Sequence, residues 1–338
     1  MTLYDEIHEQ PVALERVLSH NANVYADVAG LFGRCTHAVI AARGTSDNAA
    51  RYAQYAWGLR NGISVALATP SLFSIYDRPP VLEGAMVIGI SQSGQSPDIV
   101  AVLDEGRRQG RPTVSITNDP DSPLAAASDT VIPLHAGPET AVAATKTYTA
   151  QLAVIASISA ELEDADTSLD HLPDLVAAAL AHESSTRTAA ESLGDVGHAA
   201  VLGRGFNLAT AFEWALKMQE LSYVVAQPFS TADFLHGPVA VVDSGYPVLA
   251  VAAEGPTVGD ISGALDRSRD RGAPTVVITN SDQVASAAGQ ALRFEAGEEW
   301  LTPLPAIAVA QMFTYWLTLS QGNDPDTPRG LSKVTRTT

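Results

Sequence analysis

Short apolar runs rich in β-branched residues and bounded by Gly, Ser or Pro alternate along this chain with Ala-rich stretches whose apolar positions recur at helical spacing. Strands buried on both faces read as continuous apolar runs, and their alternation with helices is what βαβ units of a parallel sheet produce. The pattern predicts strands at 37–42, 64–68, 86–91, 113–117 and 130–134, and again at 198–202, 224–228, 247–252, 275–279 and 292–295. A helix should precede the first strand, where EQPVALERVLSHNANVYADVAGLF has apolar residues near helical spacing. Between the halves, LPDLVAAALAH reads as an amphipathic helix and ESSTRTAAESLGD as helix-compatible sequence. The longest apolar stretch, residues 304–319, is too short for a membrane span and contains Gln311, so a buried helix is expected there. The final segment, QGNDPDTPRGLSKVTRTT, is dense in Pro, Gly and Asp and should be an irregular tail over the surface or over a site.

The two sets of strands repeat in their letters. RPTVSITN, ending at Asn118, recurs as APTVVITN, ending at Asn280, an offset of 162; ARG at 42–44 recurs as GRG at 203–205, an offset of 161. Two motifs in the same order at nearly one offset indicate an internal duplication. At 338 residues the chain has length for two packed cores. The expected organisation is an N-terminal helix with a first α/β domain over 1–165, a helical connector over 166–194, and a second α/β domain with its tail over 195–338.

The composition, 46% hydrophobic and 17% charged, is that of an ordinary globular protein, but the net charge of −18 narrows the partners. A negative overall field disfavours nucleic acid and anionic membrane surfaces. An anionic ligand would have to be held by local donors such as helix N-termini, hydroxyls and a few lysines. The single cysteine, Cys35, supports neither a disulfide framework nor a Cys-based metal cluster. MTLYDEIHEQP has no basic and apolar leader pattern, so the cytosol is the expected compartment.

Such a nest of donors is legible in ISQSGQSPDIVAVLDEG, where an apolar strand runs into Ser91, Gln92, Ser93, Gly94, Gln95 and Ser96 before Pro97 opens a helix. Hydroxyls and backbone N–H groups at a helix N-terminus suit a phosphate monoester. The plainer alternative is a capping loop, with Ser96 as N-cap and Pro97 at the first helical position. After the first strand, Gly44 permits close backbone approach, and Thr45 and Ser46 present hydroxyls ahead of an Ala-rich helix. Ligands of open α/β sheets bind beyond the carboxyl ends of strands, so these two loops can converge. Neither is a Walker motif, and GRG lacks the dinucleotide fingerprint, which disfavours ATP and NAD.

In TAFEWALKMQELSYVVAQPF, Glu213, Lys217 and Glu220 share one helical face among strongly apolar neighbours. The stripe is either a solvated, salt-bridged surface or the lining of an interior site, where a carboxylate could shuttle a proton. His236, before Gly237 and Pro238, is open to a structural or a proton-transfer role. Lys333 in the tail is either an exposed lysine near a terminus or one that closes over a ligand or forms an imine with a carbonyl sugar.

Taken in order, EIHEQPVAL, RGTSDNAA, SQSGQSPD, AVAATKTYTAQL, ALKMQELSY, FLHGPVAVVD and PRGLSKVT make the chain resemble the sugar isomerase (SIS) double-domain family over nearly its whole length. The likeness is to the isomerase half of glucosamine 6-phosphate synthase and the related deaminases. It implies two tandem SIS domains, each a parallel five-stranded sheet flanked by helices, and no cofactor or metal. By the same resemblance Thr45, Ser46, Ser91, Gln92, Ser93 and Ser96 hold the sugar phosphate, and Val142 touches the sugar. Glu220 moves a proton between C1 and C2, His236 assists ring opening from the neighbouring subunit of a homodimer, Lys333 lies at the sugar, and Glu213 and Lys217 support the site. The synthase carries a glutaminase domain with a nucleophilic cysteine after the initiator Met; this chain has Thr2 and opens on the isomerase motifs, so glutamine-dependent synthesis is not expected of it. Arg43 stands where the family has a cysteine and Leu235 where it has a lysine, changes that bear on which sugar is bound. The expected activity is conversion of glucosamine 6-phosphate and water to fructose 6-phosphate and ammonia. A fructosamine 6-phosphate deglycase and a non-catalytic sugar-phosphate binder are the alternatives.

Overall fold

The computed structural model describes residues 1–163, 167–295 and 297–333. The ten expected strands are present as β1 (His37–Ala41), β2 (Ser64–Leu67), β3 (Ala85–Ile90), β4 (Thr113–Thr117), β5 (Thr130–Pro133), β6 (His198–Gly203), β7 (Val225–Ser230), β8 (Val248–Ala252), β9 (Thr275–Thr279) and β10 (Gln290–Arg293). They form two five-stranded parallel sheets, in the orders β2-β1-β3-β4-β5 and β10-β9-β8-β6-β7. The second order is the first read from the other edge, so the letter repeat is a repeat of topology. The central strands β3, β4, β8 and β9 are buried along their whole length, as continuous apolar runs require. The sequence pattern placed β10 two residues late: as an edge strand it begins on Gln290, and its polar first residue hid the start.

By contacts the chain divides into two compact units. One comprises Val12–Glu139, Lys146–Asp170 and the last residues from Ser332; the other comprises Met1–Pro11, Thr140–Thr145 and His171–Leu331. The expected boundary between 165 and 166 falls outside the described residues, as do the last five residues of the tail, 334–338. In the first unit, helix Lys146–Leu162 is buried throughout residues 146–160 and packs against helices Ala22–Phe32 and Thr45–Tyr55. In the second, helix Pro303–Ser320 packs against Leu172–Leu180, Glu183–Ser192, Leu208–Lys217 and Leu3–His8. Both central helices are apolar nearly all round, and such a helix is stable only when covered on all sides. Among the described residues no helix is long and apolar enough to cross a membrane.

One feature of the duplication is invisible in the letters. The helix after the first strand of each sheet ends in a π-helical turn, Ala56–Arg60 after Thr45–Tyr55 and Met218–Ser222 after Leu208–Lys217. Ala56 and Met218 are 162 residues apart, the offset of the sequence repeat. Single π turns inside α-helices recur at functional positions because they re-aim a side chain. At the position of Glu220 in the second turn the first has Gly58, so the copies share a scaffold and only one carries a carboxylate there.

Candidate active site

In a sheet of order 2-1-3-4-5 the connections leave in opposite directions at β1 and β3, which opens a crevice beyond their carboxyl ends. The loops that border this point in the first unit are those singled out by their hydroxyls. Gly44 has φ +52°, a conformation L-residues seldom adopt, and with Arg43 it accepts the first N–H groups of helix Thr45–Tyr55. Thr45 is half-buried at the start of that helix; Ser46 is buried and accepts a hydrogen bond from Gln151 Nε2 at 3.1 Å. The serine loop is built around Gly94 at φ +62°, where an added Cβ would lie 2.1 Å from Ser122 Oγ. Its backbone is tied to the end of β4: Ser91 N–H donates to Ile116 O, and Asn118 N–H donates to Gln92 O, both at 3.1 Å.

Ser91 Oγ accepts the N–H of Gly94 at 3.1 Å and Ser93 Oγ that of Gln95 at 3.4 Å, so each hydroxyl keeps its proton to donate outward. Ser96 occupies the N-cap of helix Pro97–Arg108, yet its side chain makes no capping hydrogen bond. Ser96 and Pro97 thus occupy the capping positions, but the Ser96 hydroxyl is not used as a cap. What the loop offers is donors at the start of a twelve-residue helix. Replacing Ser91 and Ser93 together by Ala is expected to weaken sugar-phosphate binding, each hydrogen bond to a charged group contributing about 1.5–3 kcal/mol. Calorimetric titration with fructose 6-phosphate measures this, and an unchanged Kd would move the phosphate elsewhere.

The charged stripe in the second unit is interior. Glu213 and Lys217 are 0% and 1% exposed and Glu220 is 24% exposed. Lys217 Nζ lies 2.5 Å from Glu220 Oε2 and 3.4 Å from Glu213 Oε1. Burial by itself pulls a lysine pKa down, but the carboxylates of Glu220 and then Glu213 more than offset it and hold Lys217 above the usual lysine range. The lysine is thus a fixed cation held against a partly open carboxylate. The π turn ends at Tyr223 in the left-handed conformation, φ +57°, and the Tyr223 hydroxyl accepts the N–H of Arg329 at 2.9 Å.

The other expected site residues have surroundings of their own. Val142, half-buried, sits in a loop of the second unit held by Glu6, whose fully buried carboxylate accepts the N–H groups of Thr140 and Ala141. His236 caps the end of helix Thr231–Leu235 and is exposed, with no hydrogen-bond partner for its ring among the described residues. Neither contacts the Lys217 cluster through a hydrogen bond or ion pair among the described residues. Leu235, beside His236, packs against the apolar core of that unit. In the first unit Lys333 is not a free surface lysine: Nζ lies 2.8 Å from Oε2 of Glu139, whose side chain is fully buried and also accepts from Thr147. Glu6, Glu139 and Asp98 were missed in the sequence, where nothing sets them apart from other acidic residues in polar stretches. Among the described residues no three His, Cys, Asp or Glu side chains gather as a metal site requires.

Comparison with known proteins agrees with this architecture. The chain is 30% identical over 341 aligned positions to the glutamine–fructose-6-phosphate aminotransferase (isomerizing) of Thermococcus kodakarensis, covering 97% of this chain and 56% of that protein. It is 32% identical to the enzyme of the same name from Shouchella clausii, over 97% of this chain and 57% of that one. The chain thus spans about half the length of these curated relatives. Among solved structures, the C-terminal domain of glucosamine-fructose-6-phosphate aminotransferase from Francisella tularensis superposes with a TM-score of 0.87 at 27% identity, over 96% of this chain and 98% of that one. The SIS domain family matches twice, at residues 31–159 and 192–321, once around each sheet. With both sheets accounted for, the chain belongs to the SIS domain family.

Proposed function

We propose that this chain is a sugar-phosphate isomerase-type enzyme that deaminates glucosamine 6-phosphate, giving fructose 6-phosphate and ammonia. The observation that carries the reading is Glu220, a partly exposed carboxylate on a π turn, paired at 2.5 Å with a buried lysine. The relatives named above are isomerizing aminotransferases of fructose 6-phosphate, and the match to the C-terminal domain of one of them supports the same substrate class here.

The chemistry needs one base that works on both carbons. In the ring-opened amino aldose Glu220 takes the proton from C2; the electron pair of the broken C2–H bond forms the C1=C2 double bond, and the C1 carbonyl oxygen takes up a proton from water, giving an enaminol. Return of the proton from Glu220 to C1 leaves a C1 hydroxyl and a C2 iminium, which gives up one N–H proton to water as the C2 imine. Water adds to C2, ammonia leaves, and the ketose remains. The base that isomerises an ordinary sugar phosphate therefore deaminates an amino sugar phosphate without an additional catalytic group. In this reading Thr45, Ser46, Ser91, Gln92, Ser93 and Ser96 hold the phosphate, Val142 borders the sugar, and Lys333 lies at the sugar. Glu213 and Lys217 hold Glu220 in place. The exposed ring of His236 supports its donation across a homodimer to open the sugar ring.

The test is release of ammonia and fructose 6-phosphate from glucosamine 6-phosphate by the purified protein, with no glutamine, nucleotide or metal added. Mixed Glu220→Gln and His236→Ala proteins should regain partial activity in the same assay after subunit exchange. No ammonia from glucosamine 6-phosphate, alongside release of an amino acid from a fructosamine 6-phosphate, would reassign the chain as a deglycase.

A further inference from the structure

The loops after β1 and β3 are tied together by an ion pair that plays no part in the scheme above. Arg43 stands two residues before Thr45, and Asp98 two residues after Ser96, in the first turn of helix Pro97–Arg108. Nε of Arg43 donates to Asp98 Oδ2 at 2.8 Å, and Nη2 approaches the same oxygen at 2.7 Å. Oδ1 accepts the N–H of Ile99 at 3.0 Å. The Asp98 side chain is fully buried while that of Arg43 is half exposed. A guanidinium fork on a buried carboxylate fixes direction as well as distance.

The second half contains the same pair in a different state. Arg204 follows β6, and its Nε lies 3.2 Å from Oδ2 of Asp260 in the first turn of helix Val258–Arg269. Asp260 is 162 residues after Asp98, the offset of the duplication. There the carboxylate is 58% exposed, and the loop after β8 reads AEGPT, without the serine cluster. The fold therefore tolerates an open, solvated version of this pair. The buried version occurs in the half whose loops carry the hydroxyls.

We propose that Arg43 is a positioning residue: clamped to Asp98, it sets the spacing between the loop that carries Thr45 and Ser46 and the loop of residues 91–96, so that their donors converge on one phosphate. The pair also neutralises Asp98, whose charge would otherwise oppose a phosphate at the same helix end. This inference rests on the phosphate reading of the serine loop.

Binding of fructose 6-phosphate and of inorganic phosphate, measured by calorimetry beside thermal unfolding, tests it. Arg43→Met should weaken fructose 6-phosphate binding about tenfold or more, the scale of one charge-assisted hydrogen bond lost. Arg43→Lys should recover part of the loss. Because Arg43→Met strands a buried carboxylate and could unfold the protein, the double variant Arg43→Met/Asp98→Asn is the decisive one. It should restore the melting temperature but leave binding at least several-fold weak, since both charges are gone and the clamp is still broken. Arg204→Met, in the open copy, should bind within about twofold of the parent. A double variant that binds as tightly as the parent, or an Arg204→Met that loses as much as Arg43→Met, overturns the proposal. If instead Ser91→Ala/Ser93→Ala binds normally, the phosphate reading fails with it; if that variant loses binding and the Arg43 variants do not, only the positioning role fails.

Discussion

Glu220→Gln is expected to bind sugar phosphate nearly as the parent does while losing about 10²-fold or more in turnover, the usual cost of removing a general base. The substitution preserves size and removes the proton acceptor. It also removes one of the two carboxylates at Lys217, but Glu213 remains at 3.4 Å, so the lysine is not stranded and the fold should hold. The measurements are kcat, Kd and the exchange of the C2 proton with solvent, with thermal unfolding as the control. Loss of kcat at unchanged Kd identifies an interaction made only in the transition state. Parent-like exchange of the C2 proton in this variant would rule out Glu220 as the shuttle.

Lys217→Met is expected to be the most destabilising single change. The ammonium lies between two carboxylates, and Glu213 has no exposure through which water could replace it. Breaking a buried pair by removing one partner costs about 3–5 kcal/mol, which for a domain of this size lowers the melting temperature by roughly 6–20 °C. The pH dependence has a definite sign. A lysine whose folded pKa is raised contributes stability that is fully present below its unfolded value and is lost only as pH rises through the folded one. The gap between parent and variant should therefore stay constant from neutral pH up to about pH 10, near the ordinary lysine pKa, and narrow only above it. A variant as stable as the parent would mean that Lys217 is not a buried cation holding the carboxylates of Glu213 and Glu220, and the argument that it positions Glu220 would lose its footing.

Much of the architecture could be read from the letters, because it rests on local regularities. A strand buried on both faces has to be a continuous apolar run, so the positions of β3, β4, β8 and β9 were set by hydrophobicity alone. A strand that runs into hydroxyls and glycine ahead of a proline is a local signal for a loop at a helix start, so the placing of residues 91–96 was legible too. The interior position of Glu213 and Lys217 followed from their apolar neighbours. What no window of sequence contains is the partner a charged side chain finds across a long separation. Arg43 meets Asp98 across 55 residues, Glu6 holds Thr140 across 134, and Lys333 finds Glu139 across 194. Such pairs follow no period, since each is fixed by which loop ends the topology gathers. The π turn that bears Glu220 could not be foreseen either: its residues are ordinary helix formers, and nothing local marks the extra residue per turn of a segment that packs against helix Pro303–Ser320. The sequence by itself determined the elements and the chemistry available to them; the tertiary structure alone decided which charges are buried together, because that depends on distances only the closed fold creates.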